Sequence, residues 1–100
     1  MVEAGEAILA YTRGGKGRFL ADPMLQSAVE RQFELVGMAA KRLSPGFVDA
    51  HPTLPWRSLV AVGDVLVHAV TPMDPEKLWI AVSGPLKQAL PTLRELARLT

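Results

Sequence analysis

This chain predicts an all-helical domain of four or five helices around one core, and three observations carry that prediction. Two Asp-Pro pairs, Asp22-Pro23 and Asp74-Pro75, each set a capping carboxylate before a proline suited to a first helical turn. Behind each pair, apolar residues recur every three or four positions. The N-terminal segment Glu3 to Thr12 repeats that spacing through Ala4, Ala7, Ile8 and Tyr11.

Taken in order, the first helix ends at Gly14-Gly15, and Arg13 to Arg18 reads as a loop rich in glycine and positive charge. Asp22 opens the clearest helix, with Leu25, Val29, Gln32, Phe33, Val36 and Ala40 on one face and Leu35, Ala39 and Leu43 beside it. Glu30, Arg31, Glu34, Lys41 and Arg42 fall mostly on the other side. Ser44-Pro45-Gly46 stops this helix, and the segment from His51 to Pro55 is a second break.

The stretch from Trp56 to Val70 is ambiguous on its own residues. Five valines favour a strand, yet Arg57, Asp64 and His68 form one stripe of a helix. From Asp74 the pattern Leu78, Trp79, Val82, Leu86, Leu90, Leu93, Leu96 and Ala97 is again helical. Gly84-Pro85 and Pro91 interrupt it, and each proline removes a backbone donor, so a kink or break is expected there.

With 100 residues the chain is a single domain. Hydrophobic residues make up 49%, more than so small a globule easily hides, which predicts that some face a second copy. The net charge of +1 supplies no general basic field for nucleic acid. No cysteine is present, which removes disulfides and thiolate chemistry, and two histidines are too few for a histidine-rich metal site. No cofactor and no metal are expected. No apolar run reaches the roughly 18 residues of a membrane span. Met1 to Ala10 carries Glu3 and Glu6 and no basic stretch, unlike a signal peptide, so a cytoplasmic location is expected.

Arg31 to Ser44, reading RQFELVGMAAKRLS, resembles the HepT-like helix of the HEPN family, whose usual form is close to RNLEIIGEAAKRLS. His51 to Arg57, reading HPTLPWR, looks like that family's YPEIPWR turn, and Val62 to Thr71, reading VGDVLVHAVT, its MRNILIHEYF. Asp74 to Leu93 is similar to the last long helix, with a tryptophan near its start and an internal proline. The resemblance implies that Trp56 to Ala69 is helical. It implies an antiparallel up-and-down bundle that dimerises, with the active cleft along the dimer interface. It further implies a metal-independent ribonuclease toxin, silenced by an MNT-type nucleotidyltransferase that modifies a tyrosine of the toxin's motif.

That motif is Arg, four residues, His, one residue, Tyr. Here only His68 stands: Gly63 occupies the arginine position and Val70 the tyrosine position, while Asp64 follows Gly63 as the usual polar residue. Internal attack on RNA needs a base for the 2′-hydroxyl, an acid for the leaving oxygen and a cation for the charge growing on phosphate. A positioned histidine contributes roughly 10²–10⁴-fold. Removing a donor aimed at developing charge costs about 10²–10³ in rate. Glycine has no such donor, and in mid-helix it costs roughly 0.5–1 kcal/mol relative to alanine. Close approach of a second helix is the plainest reason for Gly63. The expectation is tight packing there and weak or absent RNA cleavage.

Other residues carry two readings each. His68 is a vestigial catalyst or a helix residue bonded one turn back to Asp64, and Asp64 orients His68 or faces solvent or an interface. Lys41, Arg42 and Arg57 are candidate phosphate contacts, although cations at a helix C-terminus are also what the helix dipole favours. Arg57 lies eleven residues before His68 on the same face, about 16 Å along a helix, so only a second copy could bring the two together. Arg13, Lys16 and Arg18 form a basic stretch that is solvated or holds an anion. Trp56 and Trp79 are core or interface anchors. Three functions compete: an inactive or weakened family member that still docks its partner, an active ribonuclease with a rearranged site around His68, and a non-catalytic nucleotide- or RNA-binding module.

Overall fold

Asp22 and Pro23 start the longest helix as the sequence predicts. In the computed structural model, which describes residues 1–69 and 71–98, the Asp22 carboxylate accepts from the Met24 and Leu25 amides at 3.0 and 3.2 Å. Such a cap contributes about 0.5–2 kcal/mol. The elements are α1 (Val2–Tyr11), α2 (Lys16–Ala21), α3 (Pro23–Lys41), α4 (Pro45–Ala50), α5 (Trp56–His68), α6 (Pro75–Ala81), a π-helical turn (Val82–Leu86) and α7 (Lys87–Arg98). No strand occurs among the described residues, and the ambiguous valine-rich segment is helix α5.

The core is built where these helices face one another. Ile8 of α1, Phe19 of α2, Phe33 of α3, Leu59 of α5, Leu78 of α6 and Leu86 of the π turn are all fully buried. Each such side chain contributes about 1.5–3 kcal/mol of transfer free energy. Helix α3 is central and packs on α1, α2 and α5. Its buried residues Val29, Phe33, Val36, Gly37 and Ala40 repeat at the spacing of one helical face.

Three expectations change. Arg13 to Arg18 is not loop throughout: Gly15 turns the chain at φ +89°, and a helix begins at Lys16 because that turn lets Phe19 reach the core. The Gln26 side chain then donates to the Phe19 and Leu20 carbonyls at 3.0 and 3.2 Å, tying α2 to α3. Ser44-Pro45-Gly46 does not stop α3, which has ended at Lys41; it starts α4, with Ser44 Oγ accepting from the Phe47 amide at 3.1 Å. Of the expected kink or break at the last prolines, a break does not occur: the α-helix gives way to a π turn at Gly84-Pro85 and runs on through Pro91. From Pro75 to Arg98 helical structure is uninterrupted, and Pro85 sits inside the π turn. The wider turn changes which carbonyl each amide meets, so it absorbs a missing N–H without ending the rod. Counting that rod as one, the described residues form six helices.

The outer face of α5 as candidate functional site

Helix α5 is held at its start by Trp56, whose indole N–H donates to the His51 carbonyl at 3.0 Å while its ring packs on Phe47. Trp56, Leu59, Gly63 and Leu66 are buried, one stripe of the helix. Arg57, Ala61, Val65 and His68 form the opposite, exposed stripe. Val65 is 54% exposed. Cavities of about 540 and 480 Å³ flank this ridge: Lys41, Val48, Trp56 and Arg57 line one, Val62, Val65, Met73 and Lys77 the other, and Ala61 lines both.

At the end of the ridge, His68 Nδ1 lies 2.9 Å from the Asp64 carbonyl oxygen. A carbonyl can only accept, so Nδ1 carries a proton toward it, and in the neutral ring Nε2 keeps its lone pair. Asp64 therefore meets His68 through its backbone, while its carboxylate is turned toward α3 and forms an ion pair with Lys41. Half-exposed as it is, that pair is worth about 0–1 kcal/mol.

Gly63 lies on the buried side, where α5 crosses α3. A Cβ built on Gly63 would stand 2.7 Å from the Cα of Gly37, and a Cβ on Gly37 would stand equally close to the Cα of Gly63. The position that would bear the motif arginine is thus a backbone-on-backbone contact. Val70, the tyrosine position, lies outside the described residues.

The fold brings Lys41, Asp64 and His68 into one chain of contacts. It does not bring Arg57 or Arg42 to His68: both are exposed, and among the described residues no hydrogen bond or ion pair joins either to it. Nor do three or more Asp, Glu or His side chains gather into a metal-binding cluster among those residues. Among the described residues no helix is long and apolar enough to cross a membrane. Sequence reasoning missed Glu30, whose carboxylate accepts from the Met73 amide at 2.9 Å and so fixes the link between α5 and α6. Nothing in the local pattern marks that long-range bond.

Chemically, His68 Nε2 can take or give a proton. Among the described residues no side-chain guanidinium is bonded to it, and the Lys41 charge is already matched by Asp64.

Comparison with known proteins identifies the family. The family model described as Ribonuclease HepT-like matches residues 1–99. The chain is 37% identical over 76 residues to a protein described as a probable ribonuclease HepT from Thermococcus cleftensis, covering 76% of this chain and 66% of that relative. It is 29% identical over 80 residues to a Methanocaldococcus jannaschii protein provisionally described as an RNase, covering 80% and 66%. A second such protein of that organism is 24% identical over 96 residues, covering 95% and 84%. The chain spans just under two thirds of the length of the first two of these relatives. No solved structure matches it. With its all-helical core, its exposed histidine on α5 and a family match along nearly its whole length, the chain belongs to the HepT-like ribonuclease family.

Proposed function

We propose that this chain is a HepT-like protein whose RNA cleavage is lost or strongly weakened. In this reading it still forms a dimer through the outer face of α5 and docks a nucleotidyltransferase of a toxin–antitoxin type system. One observation carries the proposal. The motif arginine position is Gly63, and its Cα is packed against Gly37. An unbranched backbone contact can neither donate to phosphate nor make room for a residue that does. Val70 adds that no phenol stands at the position the resembled partner modifies. A toxin that kept its activity and lost that handle would endanger its host, so both losses fit an inactive descendant.

Incubating the purified chain and its His68→Ala variant with RNA tests this. Little or no cleavage, equal in both, is expected. Efficient cleavage that disappears in His68→Ala overturns it. Pull-down with the nucleotidyltransferase encoded beside the chain, where one is present, tests the docking role.

One observation favours an active enzyme instead: His68 is exposed with Nε2 unbonded, and Arg57 lies on the same helical face. Within one chain they are about 16 Å apart along the helix. In that reading, cleavage lost in both Arg57→Ala and His68→Ala returns when the two variants are mixed, because one site of the mixed dimer is intact.

A further inference from the structure

Between α1, the link to α2 and the α6–α7 rod lies a third cavity of about 440 Å³, and none of its lining residues is on α5. Three cations line it, Arg13, Lys87 and Arg94, against one carboxylate, Glu6. Glu6 is fully engaged: Arg94 bonds both its oxygens, Nη2 to Oε2 at 2.8 Å and Nε to Oε1. That bidentate pairing holds the Glu6 carboxyl below its ordinary value. The pair cancels within itself. Arg13 and Lys87 remain, and among the described residues neither takes part in a salt bridge.

Two uncompensated cations from different elements thus share one concavity in a chain whose net charge is only +1. Both side chains are exposed, so an anion entering the cavity meets positive charge from two elements. The remaining wall is apolar: Leu9, Ala10 and the half-buried Trp79, whose ring is braced by Phe19 at 5.5 Å between centroids. The Thr12 hydroxyl is already spent on the Ile8 and Leu9 carbonyls, so charge rather than hydroxyl donation sets the site's preference. The volume falls in the roughly 300–1,000 Å³ range of small-molecule sites.

We infer that this cavity binds a small phosphate-bearing ligand, with the phosphate between Arg13 and Lys87 and any organic portion against Leu9 and Trp79. A phosphate dianion matches two cations in charge, and a guanidinium fork matches its oxygens in geometry. The inference does not depend on RNA cleavage or on His68, and its test reads neither.

Calorimetric titration of the full chain at low ionic strength with inorganic phosphate, adenosine monophosphate and adenosine decides it. Saturable binding of the two phosphates and none of adenosine is expected. The Arg13→Gln/Lys87→Gln double variant should bind roughly tenfold or more weakly, in line with charged hydrogen bonds. Both side chains are exposed, so the fold does not rest on them. Glu6→Gln, by releasing Arg94, should bind more tightly than the wild type. Equal affinity for phosphate and the nucleotide identifies free phosphate as the ligand, and tighter nucleotide binding identifies a phosphate ester. Failure of both phosphates to bind, affinity unchanged in the double variant, or adenosine binding as well as its monophosphate each overturns the proposal.

Discussion

Gly37 of α3 and Gly63 of α5 touch backbone to backbone: a Cβ on either would come within 2.7 Å of the other's Cα. Real Cβ atoms do not approach a backbone so closely, and a main chain cannot swing aside as a flexible side chain does. The two helices cross at this separation because both residues lack a side chain. The same contact packs the core and leaves no room for a side chain at position 63.

Substituting alanine at either glycine should therefore destabilise the protein, although alanine is the better helix former. Its propensity gain is about 0.5–1 kcal/mol. Forcing packed helices apart typically costs about 1–3 kcal/mol. We expect a net loss in urea or thermal unfolding for Gly37→Ala and Gly63→Ala. Gly17→Ala is the control: it lies in α2, where a Cβ meets nothing within 4 Å, and it should stabilise slightly. A stabilised Gly63→Ala would show that the crossing is not tight.

Restoring arginine at position 63 should not by itself restore an enzyme. Gly63→Arg is expected to unfold at lower temperature and to show no gain in RNA cleavage, since the side chain must first part α3 from α5. A gain in cleavage at unchanged melting temperature would count against this account.

His68 is oriented by the Asp64 carbonyl, not by its carboxylate. Asp64→Asn should leave the His68 Nδ1–H tautomer unchanged by ¹⁵N–¹H NMR. Its loss of the Lys41 ion pair should alter stability by no more than about 1 kcal/mol. A switch to the Nε2–H tautomer would show that the carboxylate matters.

The ridge of α5 exposes Val65, which lines one of the two cavities beside it. If it is the dimer seam, Val65→Glu should convert a dimer to a monomer in sedimentation velocity, with helical content unchanged. A wild-type chain that stays monomeric at high concentration would remove the dimer from the functional reading.

Acid should weaken the contact between α1 and α7. The Glu6 carboxyl is held below its ordinary value of 4.5, first by its hydrogen bond with Arg94. The stabilisation it contributes is therefore present above that value and is lost as the pH falls through the lowered one. Acid unfolding curves of wild type and Glu6→Gln should differ near neutral pH and converge at the acid end. Curves that stay parallel would show the pair to be energetically silent.

Much of this protein is legible without coordinates. Asp22-Pro23 and Asp74-Pro75 mark two helix starts because caps act over two or three residues, and the stripe Val29, Phe33, Val36 and Ala40 marks the buried face of α3. The helical state of α5 came from resemblance, since valine propensity and helical spacing disagreed there. The short helices α2 and α4 were not legible: six residues are too few to show a period, and the burial of Phe19 rather than propensity stabilises α2.

By itself the sequence determined the all-helical class, the principal caps and the family, and it set Gly63 and Val70 five residues before and two after His68. Those are local matters of spacing and residue type. Only the tertiary structure decided that Gly63 meets Gly37, that Lys41 rather than His68 takes the Asp64 carboxylate, that Glu30 holds the Met73 amide, and that Glu6 cancels Arg94 and leaves Arg13 and Lys87 uncompensated. Each joins residues far apart along the chain. No periodicity encodes such a meeting, because it exists only once the helices have packed.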